Sequence, residues 1–381
     1  MRRRIFSDEH LAFRDTFSRF VAAEVAPHYP EWDEQRETPR AFYTKMAQNG
    51  YLCMWLPEEL GGSGADFHYS VIIIEEIARA QCMGLLVAVH SDIVAPYIYK
   101  YGTGEQRRRW LPGCAAGEII LAVAMTEPES GSDLASIRTT AVRDGDDYVL
   151  NGQKTFISNG TISDLVVVAA KTDPDADPHR AGITLFAVER GTPGFIRGRK
   201  LDKMGMHIQD TAELAFVDCR VPAANRIGDE GGGFVYLMER LQQERLVLAV
   251  GALAWAESLM EISIEYAKNR RQFQRPISSF QVHRHKLAEL ATELEGCRAF
   301  MDRLIEEHVL GTDVVKETCM AKYWSTDLLK RMADYGVQLH GGYGYMREYA
   351  ICRAYVDCRI QSIFGGTNEI MKEVISKRMG L

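Results

Sequence analysis

Between Gly231 and the C-terminus, apolar residues recur at the helical spacing of three and four positions over three long stretches. These stretches run from 234 to 269, from 280 to 310 and from 312 to about 339, and a last helix is expected to begin near Asn368. Long amphipathic helices with short connections bury their apolar faces against one another. The region therefore predicts an antiparallel helix bundle.

The residues before the bundle fall into two parts of different character. Ser7 is expected to cap a first helix that ends before Pro27, and further helical segments continue to about residue 118. From Ile119, short β-rich runs alternate with Pro, Gly and Asp, and Asp144-Gly145 predicts a hairpin. We therefore expect three domains, over residues 1–118, 119–229 and 230–381, in a fold that is mostly α with a central β domain.

Composition and charge exclude several classes of function. The net charge of -7 gives no electrostatic footprint for nucleic acid. The eight cysteines form no C-x-x-C pair, so we expect reduced thiols in a cytoplasmic protein rather than a zinc or redox site. His283 and His285 have no third ligand nearby, and no metal site is predicted. The apolar run from 246 to 256 is too short to span a membrane.

Glu244 stands on an otherwise apolar line of the first long helix. The line consists of Leu237, Leu241, Glu244, Leu248, Gly251 and Trp255. Burial disfavours the charged form of a carboxyl group, which raises its pKa and makes it a stronger base toward a carbon acid. The alternative is a structural pair with Arg240, one turn earlier. The spacing alone leaves both readings open, and most glutamates are structural.

Two kinds of loop also offer ligand-binding groups. The loop from 125 to 133 is rich in hydroxyls and backbone donors, and the glycines at 341–342 and 365–366 allow a ligand to approach the backbone. Capped or helix-breaking turns would have the same composition. No G-x-G-x-x-G opens a βαβ unit and no P-loop is present, so a dinucleotide would not be held in Rossmann fashion.

Five sequence blocks, in this order, resemble the acyl-CoA dehydrogenase family. They are Ala-Met-Thr-Glu-Pro-Glu-Ser-Gly-Ser-Asp at 124–133, Lys-Thr-Phe-Ile-Ser-Asn-Gly at 154–160, Arg-Arg-Gln-Phe at 270–273, Gln-Leu-His-Gly-Gly at 338–342 and Gly-Thr-Asn-Glu-Ile at 366–370. The resemblance covers nearly the whole chain and is greatest to the long-chain and isovaleryl branches. It implies an N-terminal α-helical domain, a middle β-barrel and a C-terminal four-helix bundle.

The resemblance implies non-covalently bound FAD between barrel and bundle. The positions that match contacts of the flavin half are Met125, Thr126, Ser132, Phe156, Ile157 and Ser158. Those that match the adenosine and pyrophosphate half, held across a subunit interface, are Arg270, Gln272, Phe273, Gln281, Gln338, Gly341 and Gly342. Thr367 and Glu369 match further FAD contacts. The family usually has Gly after the Phe of the third block, where this chain has Gln274.

The resemblance also resolves the two readings of Glu244. Many members carry a Glu at the position of Gly365, whereas the long-chain and isovaleryl branches carry it on an earlier helix, just before Arg-Leu. Glu244 precedes Arg245 and Leu246, so it is identified as the catalytic base. Ser132, Arg245 and the backbone N–H of Gly365 match substrate contacts.

The implied reaction is dehydrogenation of a fatty-acyl-CoA thioester to trans-2-enoyl-CoA in β-oxidation. Glu244 would take the α-proton while the β-hydrogen leaves as hydride to the flavin. An electron-transferring flavoprotein would be the partner, and a homotetramer is expected. The alternatives are an acyl-CoA oxidase that uses O2, a catalytically lapsed flavin-binding partner protein, and an unrelated helical scaffold without flavin.

Overall fold

The computed structural model describes residues 3–381 and begins with short helices. These are α1 (Asp8–Glu24), α2 (Tyr29–Gln35), α3 (Arg40–Gln48), α4 (Phe67–Arg79), α5 (Ala95–Tyr101) and α6 (Gly104–Ala115). The predicted cap is confirmed, because the Ser7 side chain accepts a hydrogen bond from the His10 N–H at the start of α1. A π-helical turn, Val89–Val94, leads directly into α5.

The middle of the chain forms a β-sheet, and two further small strands lie later in the chain, after the first long C-terminal helix. The strands are β1 (Leu121–Ala124), β2 (Thr140–Asp144), β3 (Asp147–Ser158), β4 (Leu165–Lys171), β5 (Ile183–Glu189), β6 (Phe195–Lys200), β7 (Thr211–Pro222), β8 (Arg226–Ile227), β9 (Arg271–Gln272) and β10 (Arg275–Pro276). Asp144 pairs with Asp147, which confirms the predicted hairpin. Strand β6 was not predicted, because its charged residues lie exposed and mask the alternation of a half-buried strand.

The sheet of the described chain runs in the order β6-β7-β3-β2-β4-β5-β8, with β1 parallel to β4. Its two halves meet at one residue pair, Thr140 with Lys171. Apolar residues from both halves, including Leu150, Val168 and Phe216, bury themselves in one shared core. The sheet therefore folds over its own interior.

The C-terminal helices are α7 (Gly233–Asn269), α8 (Gln281–Val309), α9 (Val315–His340), α10 (Ala350–Asp357) and α11 (Asn368–Arg378). Helix α9 contacts α7, α8 and α11, so these four form the bundle that the periodicity predicted. By length and composition α7 alone, among residues 3–381, resembles a membrane-spanning helix. However, 78% of its most apolar stretch is buried inside the protein, as in the central helix of a bundle core.

A buried carboxylate joins the N-terminal domain to the bundle. Glu75 on α4 is fully buried and accepts hydrogen bonds from Arg3 (2.8 Å), Arg14 (2.6 Å) and Arg298 of α8 (2.9 Å). Burial alone would raise the pKa of Glu75, but the three guanidinium groups outweigh it and lower the pKa to about 2. Glu75 is thus ionised at neutral pH and links three separate segments.

Replacing Glu75 with Gln should destabilise the protein strongly, because three guanidinium groups would lose their shared counter-charge. We expect Glu75→Gln to lower the free energy of unfolding by about 3–5 kcal/mol at neutral pH, as measured by urea unfolding. The control is Glu293→Gln, which breaks a surface pair with Arg331 and should cost less than about 1 kcal/mol. Equal losses in both variants would contradict this role of Glu75.

Candidate active site

Glu244 lies on α7 opposite the turn formed by Gly365 and Gly366. Both glycines adopt left-handed backbone conformations, with φ of +64° and +92°. A Cβ built on Gly365 would lie 3.8 Å from Glu244 Oε1 and only 2.4 Å from Leu248 Cδ1. The Glu244 carboxylate therefore comes close to the place from which a side chain at position 365 would start. A carboxylate carried by either position would enter the same region.

The environment of Glu244 favours a proton acceptor over a structural ion pair. Its Oε2 atom is buried, and no group of residues 3–381 forms a hydrogen bond with it. Burial raises the pKa of Glu244 to about 7, although the neighbouring Arg245 opposes the increase. The alternative pair with Arg240 is not formed, since the Arg240 guanidinium donates to Gln243 instead. A carboxyl group in this setting is poised to exchange a proton near neutral pH.

Arg245 and Tyr97 complete the surroundings of Glu244. Arg245 is buried, and its guanidinium donates to the Gly365 carbonyl (3.2 Å) and to Cys319 Sγ (3.4 Å). Tyr97 of α5 is fully buried with an unpaired hydroxyl, and burial together with the charge of Glu244 raises the pKa of this phenol. Arg245 thus contacts the turn directly. The sequence had not indicated Tyr97, because α5 is short and its local pattern does not distinguish this tyrosine from its neighbours.

Met125, Thr126 and Phe156, expected at the flavin ring, lie together. Met125 and Thr126 follow β1, and the Thr126 carbonyl accepts a hydrogen bond from the Thr155 N–H (2.9 Å) beside Phe156. Phe156 is 67% exposed at a φ of +58°, so its ring faces outward. Ser132 is exposed and Ser158 half-buried near the same strand end. The Ile157 side chain lies in the sheet core, so only its backbone reaches this surface.

A buried ion pair in the β domain holds the segments that carry Met125, Thr126 and Phe156 in place. Lys154 Nζ donates to Glu127 Oε1 (2.8 Å) and to the Met125 carbonyl (3.1 Å). Glu127 also accepts from the N–H groups of Arg138 (2.5 Å) and Thr139 (2.9 Å). Burial lowers the pKa of Lys154 to about 8 against the opposing effect of Glu127. Both residues lie in the sequence blocks that resemble the family, but no role was predicted for them.

Five of the seven residues expected around the adenosine half line one cavity of about 710 Å³ at the far end of α7. They are Arg270, Gln272, Gln338, Gly341 and Gly342. Phe273, which is 87% exposed, and Gln281, at the start of α8, lie nearby in sequence but do not line it. A cation, two amides and an open glycine backbone are suited to a phosphorylated nucleotide.

The departure at Gln274 leaves the turn of the third block intact. Phe273 and Gln274 have φ of +49° and +65° between the paired strands β9 and β10. This is the two-residue left-handed turn in which glycine is usual. Gln274 therefore adopts a left-handed conformation that glycine takes more readily, at some cost in backbone strain.

The two groups of expected FAD contacts do not meet within one chain. Glu244 and Arg270 are 26 positions apart on and just after α7, which corresponds to about 39 Å of helix. Thr367 and Glu369, at the start of α11, lie on the Glu244 side, and Thr367 caps α11 by accepting from the Ile370 N–H (3.3 Å). Met125 packs against the apolar cluster that contains Leu237, near the start of α7, whereas the cavity lies beyond the other end of that helix, so the flavin surface and the cavity are two separate half-sites.

A group of potential metal ligands lies elsewhere, between α1 and α4. Asp66 Oδ1 lies 3.0 Å from His68 Nδ1 and 3.4 Å from His10 Nε2. The Ser7 N–H donates to His10 Nδ1 (3.2 Å), which places the proton of a neutral His10 on Nε2, facing Asp66. Hydrogen bonding accounts for these atoms, and the cluster contributes nothing to the Glu244 site.

Comparison with known proteins agrees with this geometry. Three family models match the chain: the N-terminal domain of acyl-CoA dehydrogenase over residues 7–118, the middle domain over 122–219 and the C-terminal domain over 231–380. The long-chain specific acyl-CoA dehydrogenase of Sus scrofa is 46% identical over 99% of this chain and 88% of its own length. The isovaleryl-CoA dehydrogenase of Pongo abelii is 36% identical, over 97% and 88%.

Solved structures show the same similarity. An acyl-CoA dehydrogenase from Geobacillus kaustophilus is 52% identical over the full length of both chains, with a TM-score of 0.99. A glutaryl-CoA dehydrogenase from Mycobacterium smegmatis in complex with FADH2 is 28% identical, with a TM-score of 0.91 over 98% of this chain and 95% of its own. A chain in a structure of the electron transferring flavoprotein of Acidaminococcus fermentans is 35% identical, with a TM-score of 0.94 over 98% of both chains.

The protein is a flavin-dependent oxidoreductase whose cofactor is FAD. The exposed Phe156 ring and the Arg270 cavity, with its amides and open glycines, fit the two ends of that cofactor. The chain belongs to the acyl-CoA dehydrogenase family, in the branch that contains the long-chain and isovaleryl enzymes. The three-domain fold expected from the sequence is confirmed.

Crowding at Gly365 can be measured against a matched glycine. Gly365→Ala should lower the free energy of unfolding by about 1–3 kcal/mol more than Gly145→Ala, because its Cβ would collide with Leu248 Cδ1. Gly145 has nearly the same φ, +63°, but open space around its Cβ position, so it isolates the backbone cost. If urea unfolding gives equal losses, Gly365 is not tightly packed beside Glu244.

Proposed function

We propose that the protein oxidises the Cα–Cβ bond of a fatty-acyl-CoA thioester to trans-2-enoyl-CoA, with Glu244 as the base. One observation carries the proposal. The half-buried carboxylate of Glu244, whose Oε2 atom is buried without a hydrogen-bond partner, lies next to the Gly365 turn, and its pKa is raised to about 7. Such a group is strong enough to take a proton from the carbon beside a thioester and is still ionised in part at neutral pH.

The Gly365 turn offers the second group that the chemistry needs. No hydrogen bond among residues 3–381 uses the Gly365 N–H, although both neighbouring carbonyls in the turn are held by cations. A thioester oxygen that accepts from this N–H lies close to Glu244. Removal of the α-proton builds negative charge on that oxygen, and a fixed donor stabilises the charge as it develops.

FAD supplies the other half of the reaction, since the β-hydrogen leaves an unactivated carbon and is taken up as hydride by the bound cofactor. Met125, Thr126, Phe156 and Ser158 are the residues proposed to hold its ring beside the barrel. Their surface is fixed by the buried pair of Lys154 and Glu127. Arg270, Gln338 and the other cavity residues are proposed to hold the adenosine and pyrophosphate.

The distance between the half-sites supports an oligomer. The flavin surface and the cavity are two separate half-sites within one chain, so a second copy of the chain is proposed to complete each FAD site in a homotetramer. An electron-transferring flavoprotein is proposed as the acceptor, in keeping with the chain from the Acidaminococcus fermentans structure. The cytoplasm is proposed as the location, because all eight cysteines of the described chain are free and seven are buried.

Glu244→Gln tests the proposed base directly. The variant should keep its bound yellow FAD, but a long-chain acyl-CoA should reduce it roughly 10²- to 10⁴-fold more slowly than the wild type, because the amide accepts no proton. Anaerobic stopped-flow bleaching of the flavin measures this rate. Glu239→Gln, an exposed residue on the same helix, serves as the control and should bleach normally.

The way in which the bleached wild-type flavin is reoxidised distinguishes a dehydrogenase from an oxidase. Rapid reoxidation by electron-transferring flavoprotein and slow reoxidation in air support the dehydrogenase, whereas rapid formation of peroxide in air would identify an oxidase. A wild type that no acyl-CoA bleaches would indicate a flavin-binding partner protein. If the flavin of Glu244→Gln bleaches at the wild-type rate, Glu244 is not the base.

A further inference from the structure

Lys322 is a buried ammonium group without a carboxylate partner. It lies on α9 with no exposed surface, and its Nζ donates to the Gly366 carbonyl (2.8 Å) and to Asn368 Oδ1 (3.1 Å). No carboxylate of residues 3–381 forms an ion pair with it, whereas Lys154, which is buried to a similar degree, pairs with Glu127. Both of its hydrogen bonds end on the segment that faces Glu244.

Stability does not account for this charge. Burial, together with the nearby positive charge of Arg245, lowers the pKa of Lys322 to about 8, so the protein interior disfavours the ammonium. A methionine would fill the same space without that cost, since it carries an apolar chain of similar length. A buried charge that does not stabilise the fold is typical of a functional site, which points to a role for Lys322 in the chemistry at Glu244.

The ammonium restrains a turn made of two consecutive glycines. Gly365 and Gly366 are consecutive left-handed glycines, and glycine has more backbone freedom than any other residue. Lys322 fixes the carbonyl of Gly366, and Arg245 Nε fixes that of Gly365 (3.2 Å). Asn368 extends the restraint, because it bonds to Thr326 (3.0 Å) and Asp327 (3.1 Å) of α9.

We propose that Lys322 is a positioning residue for the dehydrogenation, which holds the Gly365 N–H at a fixed distance from Glu244 and places positive charge behind the developing thioester enolate. The inference rests on the proposed function of Glu244 and Gly365. The carbonyls of both glycines point to cations, so the turn cannot rotate without losing a charged hydrogen bond. A donor fixed in advance stabilises the transition state without reorganising during the reaction.

The test compares two variants of the FAD-loaded protein. Lys322→Met removes the charge and both hydrogen bonds, while Lys322→Arg keeps a cation. We expect Lys322→Met to retain FAD and thermal stability and to bind a long-chain acyl-CoA within about threefold of the wild type. Its rate constant for anaerobic flavin bleaching should fall about 100-fold. Lys322→Arg should recover part of that rate. Lys316→Met, at a surface pair with Glu317, is the control.

A pH profile separates positioning by the charge from simple filling of space. The wild-type bleaching rate should fall as the pH rises past about 8, where Lys322 loses its proton, and this fall should be absent from Lys322→Met. The groups that face Lys322 are Arg245 on α7, Cys319 and Asp327 on α9, and Glu369 on α11, and the variant keeps all of them. Their own titration would therefore appear in both profiles.

Three results would overturn the inference. One is bleaching by Lys322→Met at the wild-type rate, and another is an alkaline fall that persists in that variant. The third is loss of FAD or of folding by both Lys322→Met and Lys322→Arg, which would show a structural role. The outcome for Glu244→Gln is independent: if that variant is inactive while Lys322→Met is normal, only the role of Lys322 is wrong.

Discussion

The burial of one carboxyl group inside a helix bundle is the constraint on which the site depends. Glu244 lies on the apolar line of α7, where solvent does not reach its Oε2 atom, and burial raises its pKa to about 7. The same carboxyl group at the surface would be fully ionised at neutral pH and a weak base toward carbon. The bundle therefore contributes to the chemistry by excluding water from Glu244 Oε2.

The Glu244 carboxylate needs a group held in a fixed position opposite it, and the turn of Gly365 and Gly366 provides that group. The absence of a side chain at Gly365 leaves room for Leu248 and brings the backbone close to Glu244. The freedom that glycine introduces is then removed by two buried cations, Arg245 and Lys322, each bonded to one carbonyl of the turn. The two glycines would allow the turn to adopt many conformations, and the hydrogen bonds from these two buried cations restrict it to one.

Much of this arrangement is predictable from the sequence, for identifiable reasons. The long helices α7, α8 and α9 have strong periodicity, and Asp144-Gly145 can form few other structures than a hairpin. Strand β6 and helix α10 escaped prediction because one is exposed and charged and the other spans only 8 residues. Short or solvent-facing elements depend on tertiary contacts that a local pattern does not contain.

The residues of the candidate site were predictable where they recur at helical spacing within a single helix. The helical spacing that indicates Glu244 also indicates Lys322. Cys319, Lys322, Thr326 and Leu329 form a buried line on α9. Tyr97 and the contact of Arg245 with the turn were not accessible in this way. They depend on how α5 and the segment before α11 meet α7, far apart in the chain.

The acid limb of the pH profile tests the central claim most directly. The carboxylate is the base, so kcat/KM for a long-chain acyl-CoA should fall tenfold per pH unit below about pH 7, where Glu244 in the free enzyme takes up its proton. A profile that stays flat down to about pH 5 would contradict the account, because it would mean that Glu244 titrates as an ordinary exposed carboxyl group or is not the base.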